Sequence, residues 1–147
     1  MYLITSPLKM IDPMQLKISN TQPQELVKQL AAQLNVSTQD NCIENNLELT
    51  TPLGEGKITG YNFSGGLGIL VLYCKLKEDW ELIIKQKQPA LQFNFCMGGN
   101  ARHFLQNNEL QYQLLPLQGS ITANKVGHSE HFFFTSAHRT HFYPFDY

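Results

Sequence analysis

One segment near the start of the chain has a helical rhythm. In PQELVKQLAAQLN, residues 23–35, the apolar side chains of Leu26, Val27, Leu30, Ala31 and Leu34 recur at intervals of three and four, while Glu25, Lys28, Gln29 and Gln33 fall on the opposite side. That spacing predicts an amphipathic helix with one buried stripe. Thr21 followed by Gln24 reads as a capping box, and Pro23 stands in the first turn, where its missing N–H costs nothing.

After the polar stretch NVSTQDNCIENN the rhythm changes to short runs broken by turn residues. KITGYNF and GILVLYCKL, separated by Ser64-Gly65-Gly66, predict a hairpin. WELIIKQ follows as a strand between Glu78-Asp79 and Pro89. In LQFNFCM, Leu91, Phe93 and Phe95 alternate with Gln92 and Asn94, a period of two that assigns the apolar three to the buried face. Gly98-Gly99-Asn100 is a turn. ARHFLQ and ELQYQLL, joined at Asn107-Asn108, predict another hairpin with Leu110, Tyr112 and Leu114 on one face. GSITANKV, HFFFTS and HFYPFDY complete the series. Many short strands with Gly and Asn turns point to an antiparallel barrel or sandwich, not to a parallel α/β sheet.

At 147 residues the chain suits one domain, and 42% apolar against 16% charged residues excludes a disordered tail. Eleven basic and twelve acidic residues give a formal net charge of −1, too balanced for a surface that displaces counterions from a phosphate backbone. Direct nucleic-acid binding is therefore not expected. Cys42, Cys74 and Cys96 are odd in number and irregularly spaced, fitting neither a disulfide framework nor a zinc site, which makes a reducing cytoplasm the default. Pro7, Lys9, Asp12 and Pro13 interrupt the N-terminal segment before a signal-peptide core develops, and no run approaches the ~20 apolar residues of a membrane span.

The run GEGKITGYNFSGGLGILVLYCKL, then LQFNFCMGG, then the hairpin leading to LLPLQGSITANKVGHSEHFFF, resembles the N-terminal sensor domain of AraC-type transcriptional regulators, members of the cupin superfamily. The resemblance extends from Leu47 to Phe134. It implies a mostly β fold, an antiparallel cupin-type jelly-roll barrel (a double-stranded β-helix) with one N-terminal helix. Residues 1–46 would be an arm and helix packed on a barrel of residues 47–147, one structural domain in all. It also implies an unidentified small-molecule effector, a homodimer, and contact with DNA only through a separate domain of two helix-turn-helix motifs. These residues hold no such domain, so the expectation is an isolated sensor half or a stand-alone relative.

Metal-binding cupins carry two histidine motifs whose spacing can be laid on this sequence. For G-x5-H-x-H-x3-4-E-x6-G closing on Gly98, the Glu position falls on Leu91 and the His positions on Lys85 and Lys87, or on Ile84 and Gln86 with the longer spacer. For G-x5-P-x-G-x2-H-x3-N, Gly119 and Gly127 are in register, but Lys125, Glu130 and Phe134 stand at the Pro, His and Asn positions. A protonated lysine repels a cation, and one carboxylate without histidine partners makes no transition-metal site. No metal, no other cofactor and no catalytic residue is expected.

Tyr73, Phe93, Phe95 and Tyr112 fall on strand faces expected to point into the barrel, with Glu130 and His131 as the polar members of a ligand pocket. Core packing is the simpler account of the four aromatics. His128 with His131, and His138 with His141, are three apart, so on strands their side chains take opposite faces and neither pair chelates. His131 joins a pocket only if a bulge turns it inward. Arg102 is a further charged candidate near a strand end, and Cys74 and Cys96 read as buried thiols. The expected function is small-molecule sensing and dimerisation, as in the regulatory half of a transcription factor, without enzymatic activity. The alternatives are a metal-dependent cupin enzyme, a dioxygenase or isomerase, and a purely structural dimerisation module with a filled barrel.

Overall fold

A computed structural model describes residues 12–19, 22–50, 52–99, 101–105 and 111–136, together with the backbone of 139–146. Its elements, in chain order, are β1 (Met14–Ile18), α1 (Pro23–Leu34), β2 (Thr38–Asp40), β3 (Glu44–Leu49), β4 (Gly54–Asn62), β5 (Gly68–Leu76), β6 (Trp80–Lys85), β7 (Ala90–Gly98), β8 (Ala101–Leu105), β9 (Tyr112–Leu114), β10 (Gln118–Asn124), β11 (Ser129–Phe134) and β12 (Arg139–Asp146). A single 3-10 turn, Ser64–Gly66, joins β4 to β5, as the glycines of that tripeptide predict. The turn expected at Asn107-Asn108 lies outside the described residues.

From β5 onward the strands pair in a nested order. β5 pairs with β12, β6 with β11, β7 with β10 and β8 with β9, all antiparallel. This is one long hairpin, β5–β8 against β9–β12, rolled so that successive pairs alternate between two sheets. The larger sheet runs β10-β7-β12-β5-β4-β3-β2 and the smaller β1-β6-β11-β8-β9. A hairpin wound in this way is a jelly roll. The mostly β, antiparallel cupin-type architecture with one helix is thus the observed one, with an exception at the edge, where β1 adds to β6 in parallel register.

α1 fills the gap between β1 of the smaller sheet and β3–β4 of the larger. Its buried stripe, Leu26, Val27, Leu30, Ala31 and Leu34, is the one the spacing predicts. With Leu16 and Ile18, Leu47 and Leu49, Ile58, Leu70 and Leu72 it forms one continuous core. Thr21 of the expected capping box lies outside the described residues, and the helix instead starts at Gln22, whose side chain makes no cap hydrogen bond. The N-terminus is capped from elsewhere: the Gln24 backbone N–H donates to Asn62 Oδ1, 3.2 Å away at the end of β4. Two glycines allow this approach. A Cβ on Gly60 would lie 2.3 Å from the Pro23 carbonyl oxygen, and one on Gly68 would lie 2.5 Å from Pro23 Cδ. No described helix is long and apolar enough to cross a membrane.

Candidate functional site in the jelly-roll interior

Along the inner face of the smaller sheet the side chains change from apolar to polar. β11 buries Glu130, Phe132 and Phe134, alternating with half-buried Ser129, His131 and Phe133. Strand register sets Phe134 between Trp80 and Ala101, Phe132 between Leu82 and His103, and Glu130 between Ile84 and Leu105. Across the interior, β7 buries Gln92, Asn94 and Cys96, and β10 places Ser120, Thr122 and Asn124 beside them. One end of the roll is therefore packed with Trp and Phe, and the other is lined by amides, hydroxyls, one imidazole and one carboxylate.

Glu130 is the centre of the polar end. Its Oε2 accepts from Gln86 Nε2 at 3.2 Å and from Asn124 Nδ2 at 3.1 Å, and its Oε1 accepts from Thr122 Oγ1 at 3.5 Å. His103 Nε2 lies 2.6 Å from Oε1, with both side chains fully buried. The contact is close but does not meet hydrogen-bond geometry. The imidazole is held flat against Phe132, with ring centroids 4.4 Å apart and planes 7° from parallel. Gln86 is aimed inward by its backbone, which exchanges hydrogen bonds with the β10–β11 turn: Gln86 N–H donates to the His128 carbonyl and Gly127 N–H to the Gln86 carbonyl. Gly127 sits at φ 83°, which suits glycine at the tip of that turn. Beside this group, Gln92 Nε2 donates to Asn94 Oδ1 at 2.7 Å, and Asn94 Nδ2 to Ser120 Oγ at 3.4 Å.

Three polar atoms at this end of the interior have no hydrogen-bond partner: His103 Nδ1, His103 Nε2 and Gln86 Oε1. A buried polar atom left in that state costs about 1–3 kcal/mol, so the arrangement is complete only when a small polar molecule or water meets it. Cys96, on the same inner face, has its thiol pKa pushed up by burial.

Of the six pocket residues expected from sequence, Glu130 is the one buried in this interior. Tyr73 is 44% exposed on the outer face of β5. Tyr112, opposite His103 and in step with buried Leu114, is on the inner face as expected, but it stands on edge strand β9 and is 47% exposed. Phe93 and Phe95 are only half-buried, because the parity of β7 is the reverse of the expected one and Gln92, Asn94 and Cys96 take the inner face. His131 stays outside because β11 runs in unbroken register with both neighbours and no bulge turns it. Its Nδ1 lies 2.9 Å from Glu81 Oε1, and its ring stacks on Phe104. Arg102 is exposed, its guanidinium 4.2 Å above the Phe133 ring. The side chains of His138 and His141 lie outside the described set.

The motif positions can also be placed. Lys85, Lys87 and Leu91 are exposed, whereas Ile84 and Gln86, the longer-spacer alternative, are buried. Glu130 occupies the inward position that the second motif gives to histidine, and it has a histidine neighbour that the spacing test did not reveal. His103, with Asn124 and Thr122, is what the sequence reading missed. Among the described residues no three His, Cys, Asp or Glu side chains converge. One imidazole and a carboxylate already engaged by amide donors do not fit a transition-metal centre, which takes three or four such ligands.

No family model matches the chain, and no curated protein matches it. Similar solved structures include a cupin protein from Bacteroides fragilis, with 10% identity, a TM-score of 0.46, and coverage of 76% of this chain and 83% of that one. KdgF from Halomonas sp. has 9% identity, a TM-score of 0.42, and coverage of 76% and 87%. The plu4264 protein from Photorhabdus luminescens has 13% identity, a TM-score of 0.44, and coverage of 76% and 80%. The fold is a cupin-type β-sandwich, and the strand order defines it.

Proposed function

We propose that this chain is a binding module whose jelly-roll interior takes up a small, uncharged, hydrogen-bonding molecule, acting as the sensing and dimerising part of a regulator of AraC type. The observation that carries the reading is the buried Glu130 cluster with His103 Nδ1 and Gln86 Oε1 unpartnered. A ligand there has to offer a donor to Gln86 Oε1 and a hydroxyl or amide to His103. Among the described residues, the buried polar side chains include a carboxylate and no lysine or arginine, which disfavours an anion. Both Glu130 oxygens accept from amide or hydroxyl donors, which suits a fixed polar wall for a bound molecule. An occupied interior would be read through the rim or through a dimer contact, which transmits binding only by differing between the free and bound states.

The test is calorimetry of the full chain against neutral polyols, sugars and small amides, with carboxylate analogues alongside. Saturable binding of a neutral compound, lost in Gln86→Leu, supports the reading. If no neutral compound binds, or if neutral binding persists in Gln86→Leu, the reading fails.

A further inference from the structure

A second cleft, unrelated to the interior, opens on the outer face of the smaller sheet. It has a volume of about 390 Å³ and is lined by Lys17, Ser19, Ile83, Lys85, Ser129 and His131. Strand pairing explains how these side chains meet. Lys17 and His131 flank Ile83 in one row across β1, β6 and β11, and Lys85 stands beside Ser129 in the next row. Lys17 and Lys85 are diagonal neighbours, at about the 7–8 Å typical of such pairs, and both are exposed. Their long stems can bring two ammonium groups to one oxyanion above Ile83.

Glu81, on the same outer face, is already committed. It accepts from Gln15 Nε2 at 3.1 Å and meets His131 Nδ1 at 2.9 Å. That contact, with the stacking of the ring on Phe104 at 4.6 Å, fixes the imidazole and leaves Nε2 as its outward nitrogen. On the outer face of β1, β6, β8 and β11, the described side chains include Lys17, Lys85 and Arg102 as permanent cations against the single carboxylate of Glu81. The apolar floor and the cationic rim select a ligand with both properties.

We propose that this cleft binds a small carboxylate carrying an apolar body, with the carboxylate between Lys17 and Lys85 and the body on Ile83 beside His131. The volume suits such a molecule and lies within the range of small-molecule sites. The assignment is independent of the neutral ligand proposed for the interior.

The experiment is an amide and side-chain NMR titration of the full chain with benzoate, benzamide and inorganic phosphate. Benzoate is expected to shift Lys17, Ile83, Lys85 and His131 resonances to saturation, with binding at least tenfold tighter than for the other two probes. Lys17→Gln with Lys85→Gln should weaken benzoate at least tenfold while leaving the rest of the spectrum in place. Equal response to benzamide removes the role of charge and overturns the proposal, as does equal affinity for phosphate, which removes the role of the apolar floor. Unchanged benzoate binding in the double variant also overturns it. Should that variant not fold, Ile83→Asp and a salt titration of the native chain read the same two features, and insensitivity to either one is a negative result.

Discussion

His103 Nε2 and Glu130 Oε1 approach to 2.6 Å inside the jelly roll, on adjacent strands and with no solvent exposure on either side chain. The donors around the carboxylate come from both sheets, Gln86 from the smaller and Asn124 and Thr122 from the larger. Glu130 therefore ties the two layers together by polar contacts at the end where apolar packing is absent.

Removing that acceptor strands its partners. Glu130→Leu should destabilise the fold by about 3–5 kcal/mol, the cost of breaking a buried charged network from one side. Glu130→Gln keeps one acceptor oxygen but turns an NH2 toward amide donors, so it should fall between Glu130→Leu and the native chain. Urea unfolding of the three proteins measures the order; an unaltered midpoint for Glu130→Leu would show that the cluster does not hold the sheets together.

The helix N-terminus offers a cleaner test of packing. Gly60→Ala and Gly68→Ala should each cost about 1–3 kcal/mol by overpacking against Pro23. The two differ in what they meet: Gly60 faces the Pro23 backbone and Gly68 its ring. Adding Pro23→Ala should relieve Gly68→Ala and leave Gly60→Ala as costly as before, which a double-mutant cycle resolves.

Thiol chemistry should follow burial. Cys42 is exposed, whereas burial raises the Cys74 pKa to about 12 and raises that of Cys96. At pH 8 a thiol reagent should label one cysteine per native chain and three after unfolding. Because the folded pKa of Cys74 lies above its unfolded value of 9.0, its contribution to stability is full below pH 9 and is lost as pH rises toward about 12. Denaturation midpoints measured across that window should fall as the pH is raised.

Self-association should use the outside of the larger sheet. Leu91, Met97, Tyr73 and Ile121 are exposed there, Ile121 at 66%, with Phe93 and Phe95 half-buried among them. Exposed apolar side chains gathered on one sheet face are the kind of surface that protein contacts use. If a second copy covers it, Ile121→Lys should shift sedimentation toward the monomer by at least tenfold in dissociation constant, with unfolding unchanged.

The same face explains what the sequence reading got wrong. Alternation in LQFNFCM establishes a strand with two distinct faces, but periodicity is symmetrical and does not say which face is inside. Assigning Phe93 and Phe95 inward assumes an apolar interior, and here the interior beside β7 is polar. Cys96 shares parity with Gln92 and Asn94 and was the available hint. The helix stripe, the β4–β5 hairpin and the strand series were legible because each rests on local spacing. β3, with the sequence ENNLEL, was not, since its buried Asn45 and Asn46 look like loop residues. His103 was invisible for another reason: it meets Glu130 through strand pairing across the sheet, and no short motif encodes that.

The position of β12 has a consequence for synthesis. It lies between β5 and β7, in the middle of the larger sheet, although it is made after every other described strand. On the ribosome, β4–β5 and β7–β10 can pair as separate pieces, but their facing edges stay open until residues 139–146 leave the exit tunnel. During that interval the nascent chain carries two unpaired strand edges flanking the gap, the condition in which chaperone capture or pairing with a neighbouring chain competes with closure.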